Sequence, residues 1–236
     1  MEQLLSALRA ELTALGNRAD REGAKRFFKE TIESYGVRAA TVKLLARTYG
    51  RQLQGKTKEE VFTLCENLLA SGMMEEGHIA AAWALKQKKY FTASDFDTFT
   101  RWIDSYITNW ANCDGFCNHT VGTLLEQYPS LLPRLHEWAA SPNRWLRRAS
   151  AVSLVLPARK GLFREHIFSI AVQLITDNDD LVQKGYGWML KELAKKDAES
   201  VYRFVLRHRR AMPRTALRYA IEQLPGEWKR AAMEKP

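Results

Sequence analysis

Within the stretch NWANCDGFC, residues 109 to 117, an indole and a carboxylate stand four positions apart, Trp110 and Asp114, beside two thiols, Cys113 and Cys117. Three chemistries are open to these residue types. Zinc would take Cys113, Cys117 and His119, but a tetrahedral site needs a fourth ligand, commonly from a second pair, and the sequence offers no such pair. A cysteine nucleophile would need His119 as its base, a pairing that spacing does not establish. Neither a metal nor another cofactor is therefore expected. An acid and an indole at i and i+4 share one face of a helix. There they either pack and cap, as buried aromatics and turn acids usually do, or attend a cation, because a carboxylate and an aromatic face both stabilise positive charge.

A second indole, Trp188, lies in QKGYGWMLKELAK (183–195) close to Gly185 and Gly187. Each glycine costs a helix about 1 kcal/mol relative to alanine, so something approaches that helix closely, either a neighbouring helix or a sugar-phosphate backbone. Cations gather in the same region. Between Lys184 and Arg218 stand ten Lys/Arg against three acids, most of the chain's net charge of +9. That concentration reads either as a solvated helix face or as a footprint for a polyanion.

The scaffold that must position these residues is helical. Apolar residues recur at helical spacing nearly end to end, in segments of roughly 10 to 18 residues punctuated by glycine, proline and short polar turns. Thr57, Ser94 and the Asp179-Asp180 pair stand where helix starts need an acceptor or an acid. The longest apolar run, IAAAWAL at 79 to 85, falls far short of the roughly 20 residues of a membrane span. MEQLLSALRAELTAL reads as a first helix rather than a signal peptide. The odd count of three cysteines argues for a reducing cytoplasm rather than a disulfide framework.

Sliding the helices against one another by 36 residues brings MMEEGHIAA, NWANCDGFC, WLRRASAVS and LVQKGYGWM into register. One column then holds Gly77, Cys113, Ala149 and Gly185, and the next turn holds Ala81, Cys117, Ser153 and Met189. Small residues one turn apart let helices approach, so both cysteines fall in packing columns. The expected fold is all-α: a curved superhelical solenoid of degenerate HEAT-like hairpins. A single domain over 1–236 is expected, with a helical cap over about 1–50 and repeats over about 51–226. The register also places Arg148 and Lys184 at equivalent points near successive helix starts, where cations add to backbone N–H groups that favour anions.

Four stretches together, RFFKETIESYGVR (26–38), W-x-x-x-D at Trp110 and Asp114, WLRRA (145–149) and QK-x-x-GW-x-L-KE (183–192), resemble the AlkD-type DNA alkylation repair proteins, HEAT-like repeat DNA glycosylases, in order and spacing. The resemblance runs over nearly the whole chain. It implies a monofunctional glycosylase hydrolysing the N-glycosidic bond of cationic alkylated purines, N3-methyladenine and N7-methylguanine, in double-stranded DNA. Asp114 would be the catalytic carboxylate, with Trp110 and Trp188 as aromatic walls against the lesion's deoxyribose. Arg148 would contact DNA beside them, Arg147, Lys184 and Lys191 would add nucleic-acid contacts, and Arg38 a further one. A base already carrying positive charge leaves without a strong general acid, and the charge that develops on the sugar is what a carboxylate and an indole stabilise. Asp114 could also align or deprotonate the attacking water. With no lysine beside Asp114 to form a Schiff base, hydrolysis is expected rather than strand cleavage. The expected protein is a monomer in the cytoplasm, associated with the nucleoid, acting on duplex DNA with alkylated bases and not on membranes.

Two other readings compete. A non-enzymatic DNA-binding module recognising damaged, bent or branched DNA would use the same cations but has no need of Trp110, Asp114 and Trp188 together. A protein-binding scaffold would explain the solenoid and leave the clustered cations unexplained.

Overall fold

The computed structural model describes residues 2–234 and divides into two units, Met1–Phe116 and Cys117–Pro236. No strand forms among the described residues, whose isolated extended pairing is a bridge between Glu33 and Met73.

The first unit runs α1 (Glu2–Leu15), α2 (Arg18–Lys25), α3 (Ala39–Gly50), α4 (Lys58–Leu69), α5 (Met74–Lys86), α6 (Asp95–Tyr106) and α7 (Trp110–Phe116). Thr57 starts α4 with a reciprocal capping box, its hydroxyl accepting from Glu60 N while the Glu60 carboxylate accepts from Thr57 N. Ser94, expected to cap α6, makes no side-chain cap bond. Asp95, the first residue of α6, instead fastens the chain entering the helix, its carboxylate accepting from Thr92 N at 2.8 Å and pairing with Lys58 at 2.9 Å. Phe62, Phe91, Phe99, Trp102 and Phe116 form one aromatic cluster in the core, with ring centroids 5.2–6.3 Å apart. α5 packs against both α3 and α7.

The second unit opens on a π-helical turn, Cys117–Val121. It continues through α8 (Gly122–Gln127), α9 (Leu135–Ala139), α10 (Arg144–Val152), α11 (Val155–Arg159), α12 (Arg164–Gln173), α13 (Asp180–Ala194), α14 (Ala198–His208), α15 (Arg214–Ala220) and α16 (Gly226–Met233). Asp179 caps α13 by accepting from Leu181 N. α13 is the central helix, lying against α10, α11 and α15.

The repeat is written into the bonds between hairpins as well as into the packing. Trp83 Nε1 donates to Ala46 O, 37 residues back; Arg144 and Asp179 pair across 35 residues, and Arg159 and Glu192 across 33. The small-residue column is buried throughout at Gly77, Cys113, Ala149 and Gly185. A Cβ on Gly77 would lie 2.4 Å from Asn112 Nδ2, so the seating of α7 on α5 depends on that glycine.

Candidate active site

In the first unit, Asn109 begins α7. Its Oδ1 accepts from Asn112 N at 2.9 Å, and the chain turns helical at Trp110. Asn112, Cys113 and Phe116 take the buried side, leaving Trp110, Asp114 and Gly115 half-buried on the other. The acid is therefore not turned into the interior. Cys113 and Cys117 are fully buried and His119 is exposed.

Trp110 is not a core residue. Its indole stacks on Phe28, with centroids 5.2 Å apart and planes 20° from parallel, and its Nε1 donates to Phe27 O at 3.3 Å. Phe27 itself is 77% exposed. His78 of α5 packs on α7 at Gly115, where an added Cβ would lie 3.7 Å from His78 Cδ2. The His78 Nδ1 donates to Met74 O.

Two buried acids not anticipated from the sequence, Glu75 and Glu76, anchor the chain at residues 34–37, just ahead of α3. Glu75 accepts from Ser34 Oγ and from the backbone N–H of Tyr35, Gly36 and Val37. Glu76 takes Arg9 and the Tyr35 hydroxyl. Burial and the bond to Glu76 push the Tyr35 hydroxyl far above its ordinary value. Gly36 sits at φ +80, and a Cβ there would fall 2.2 Å from Asn17 O, which explains the glycine of SYGVR. The signal for this clamp was the adjacent pair Glu75-Glu76, which otherwise reads as simple helix-start acids.

In the second unit, Trp188 is half-buried and donates its Nε1 to Glu192 Oε1 at 3.3 Å. The close approach that Gly185 and Gly187 imply is by helices. A Cβ on Gly187 would meet Tyr219 Cβ at 2.7 Å and Ala216 O at 2.8 Å in α15, and one on Gly185 would touch Arg148 and Val152 of α10 at 3.4 Å.

The five cations expected to contact nucleic acid, Arg38, Arg147, Arg148, Lys184 and Lys191, are all engaged with protein groups. Arg148 is 5% exposed, and its Nη1 donates to Leu181 O, which ties α10 to the start of α13. Arg147 pairs with Asp177 at 2.6 Å and bonds the carbonyls of Ser141 and Pro142. Lys191 pairs with Glu222 at 2.6 Å, Lys184 with Asp180 at 3.3 Å, and the exposed Arg38 with Asp20 at 3.0 Å. A different set of cations makes no ion pair among the described residues. Lys196, Arg207, Arg210 and Arg218 belong to it in the second unit, and Lys43, Arg47 and Lys86 in the first. The last three rim a cleft of about 470 Å³ between α3 and α5, walled by Val42, Ala46 and Leu85.

Hairpins bonded at intervals of one repeat define the class: an all-α helical-repeat protein. More narrowly, the chain belongs to the family described as DNA alkylation repair enzyme, which matches residues 8–224. Its fold is similar to that of a solved structure described as a predicted DNA alkylation repair enzyme from Enterococcus faecalis. The TM-score is 0.80 at 16% identity, with 89% of this chain and 97% of that one covered. No curated protein matches the chain. No described helix is long and apolar enough to cross a membrane.

Proposed function

We propose that the protein is a monofunctional DNA glycosylase that hydrolyses the N-glycosidic bond of cationic alkylated purines, N3-methyladenine and N7-methylguanine, in double-stranded DNA. The observation that supports this most is the half-buried Asp114 one turn from a Trp110 ring clamped by Phe28, both on the side of α7 that the core leaves uncovered. Asp114 stabilises the positive charge that grows on deoxyribose as the bond to the base stretches, and it orients the attacking water. Trp110 contributes its face to the same charge. Trp188 is assigned a further aromatic contact with the substrate. The base takes the electron pair of the broken bond and leaves as a neutral purine, and water supplies the hydroxyl that replaces it on the sugar, its other proton passing by way of Asp114 to solvent.

Phosphates are assigned first to the unneutralised cations Lys43, Arg47 and Lys86, because these need give up no protein partner. Arg38 and Lys184 follow, their exposed pairs being worth little in water. Arg147 and Lys191 would exchange partners on binding, and Arg148 acts by holding α10 to α13. The protein is assigned to the nucleoid of the cytoplasm as a monomer.

Incubation with a duplex bearing one N7-methylguanine, then alkaline cleavage of abasic sites, tests the reading. Asp114→Asn is expected to lower base release by about 10²–10³-fold, the scale of losing one electrostatic stabiliser, with affinity for undamaged duplex unchanged. Intact strand after prolonged incubation with folded wild-type protein would sink the hydrolytic reading and leave non-enzymatic DNA binding.

A further inference from the structure

Behind Trp188 lies a charged cluster that the proposed chemistry has not used. Glu192, one turn along α13, is 2% exposed. Its Oε1 accepts from Trp188 Nε1 at 3.3 Å and from Lys195 Nζ at 2.9 Å, and its Oε2 from Arg159 Nε at 2.7 Å and Lys195 Nζ at 2.8 Å. Burial alone would raise this carboxyl, but the hydrogen bonds from Arg159 and Lys195 outweigh burial and hold it below the ordinary glutamate range. It is therefore ionised at neutral pH. Arg159 and Lys195 are half-exposed and answer to solvent, whereas the carboxylate is enclosed against the indole N–H.

Two consequences follow for the ring. A hydrogen bond from N–H to a fixed anion holds the indole in one orientation, so that its free face is presented without rotameric search. The same bond draws positive charge toward the ring edge and enriches the π face in electrons, strengthening its attraction for a cation. Without the carboxylate's charge, Arg159 and Lys195 would stand unneutralised beside Trp188 and repel any cation brought to it.

We infer that Glu192 is a positioning and specificity-determining residue: acting through Trp188, it makes the indole face select a positively charged sugar or base over a neutral one of the same shape. The inference deepens the proposed function and rests on its assignment of Trp188 to the substrate. It predicts opposite effects for two changes in one cluster. Removing the anion weakens cation preference, and removing a neighbouring cation strengthens it.

The probe is a pair of DNA duplexes, one with a cationic pyrrolidine in place of a deoxyribose and one with the neutral tetrahydrofuran analogue. The readout is the ratio of their dissociation constants. Glu192→Gln, which keeps volume and an acceptor, is expected to lower the cation preference about tenfold, the scale of a partly desolvated cation–π contact. Lys195→Met, at a half-exposed position, is expected to raise it and serves if Glu192→Gln fails to fold. In a Trp188→Phe background, Glu192→Gln should change the ratio clearly less than in the wild-type background, because the part carried by the indole is gone and only direct repulsion by Arg159 and Lys195 remains. An unchanged ratio in Glu192→Gln, an equal loss in both backgrounds, or no wild-type preference would each overturn the inference. Cation preference that depends on Glu192 without any base release would sink hydrolysis alone. Base release with a preference indifferent to Glu192 would sink this inference alone.

Discussion

Gly187→Ala sets two contributions of known sign against each other. Alanine inside a helix is favoured over glycine by about 0.5–1 kcal/mol. The new Cβ, however, would come within 2.7 Å of Tyr219 Cβ, 2.8 Å of Ala216 O and 3.2 Å of Ala216 Cα. Two of those atoms are backbone and the third is anchored to it, so no side chain can swing away and α15 must be displaced as a body. Overpacking costs about 1–3 kcal/mol, and against backbone that cannot yield the upper part of that range, about 2–3 kcal/mol, applies, which exceeds the propensity gain and leaves a net loss of about 1–2 kcal/mol. For a chain of this size that lowers Tm by about 2–8 °C. Gly185→Ala is the internal control. Its Cβ would touch Arg148 Cγ and Val152 Cγ1 at 3.4 Å, the edge of ordinary contact, so propensity wins and Tm holds or rises by a few degrees. Calorimetric melting of the three proteins decides the matter. A Gly187→Ala protein as stable as wild type, or a Gly185→Ala protein losing as much, would refute the argument from close approach.

Three further outcomes are expected. Replacing Lys43, Arg47 and Lys86 together by glutamine should weaken binding to undamaged duplex and reduce the slope of log affinity against log salt by up to about 2.7, since each phosphate contact contributes about 0.9; fluorescence anisotropy across a salt series measures it. Phe28→Ala, which removes the ring stacked on Trp110, should lower single-turnover base release about tenfold or more while leaving duplex affinity within about twofold, as loss of orientation rather than binding predicts. Acid should expose the Glu192 cluster. Its folded pKa lies below the ordinary glutamate value of about 4.3, so the stability it contributes is present above that value and is lost as pH falls through the depressed one; melts between about pH 5 and 3 should fall more steeply for wild type than for Glu192→Gln.

The all-α fold and its packing columns were legible because helix periodicity and small residues are local signals, each read within one or two turns. Burial of Gly77, Cys113, Ala149 and Gly185 follows from the same 36-residue register that the sequence shows. The choice at Gly185 and Gly187 between a neighbouring helix and a nucleic-acid backbone needed coordinates, and both positions face helices.

The cations were a different matter, for a reason the repeat itself supplies. A count of Arg and Lys over a window sees only neighbours in sequence, whereas the partners of Arg147, Arg144 and Arg159 lie 30, 35 and 33 residues away, about one repeat on. Applied to charges as well as to small residues, the register would have neutralised Arg147 against Asp177 and found Glu192 beneath Arg159. Arg47 and Lys86 would then have stood out by having no acid 30 to 35 residues on, whereas Lys43 faces Glu75 and Glu76 at that offset and only the structure shows both taken by other groups. The stacking of Phe28 on Trp110 has no such shortcut. It joins residues more than two repeats apart, through the Trp110 Nε1 bond to Phe27 O and an irregular segment whose far end, residues 35–37, is fixed by backbone N–H bonds to the buried Glu75. Chemistry assigned to Trp110 therefore depends on the ring and the carbonyl of a segment distant in sequence, and the local motif of Trp110 and Asp114 holds only half of what orients them.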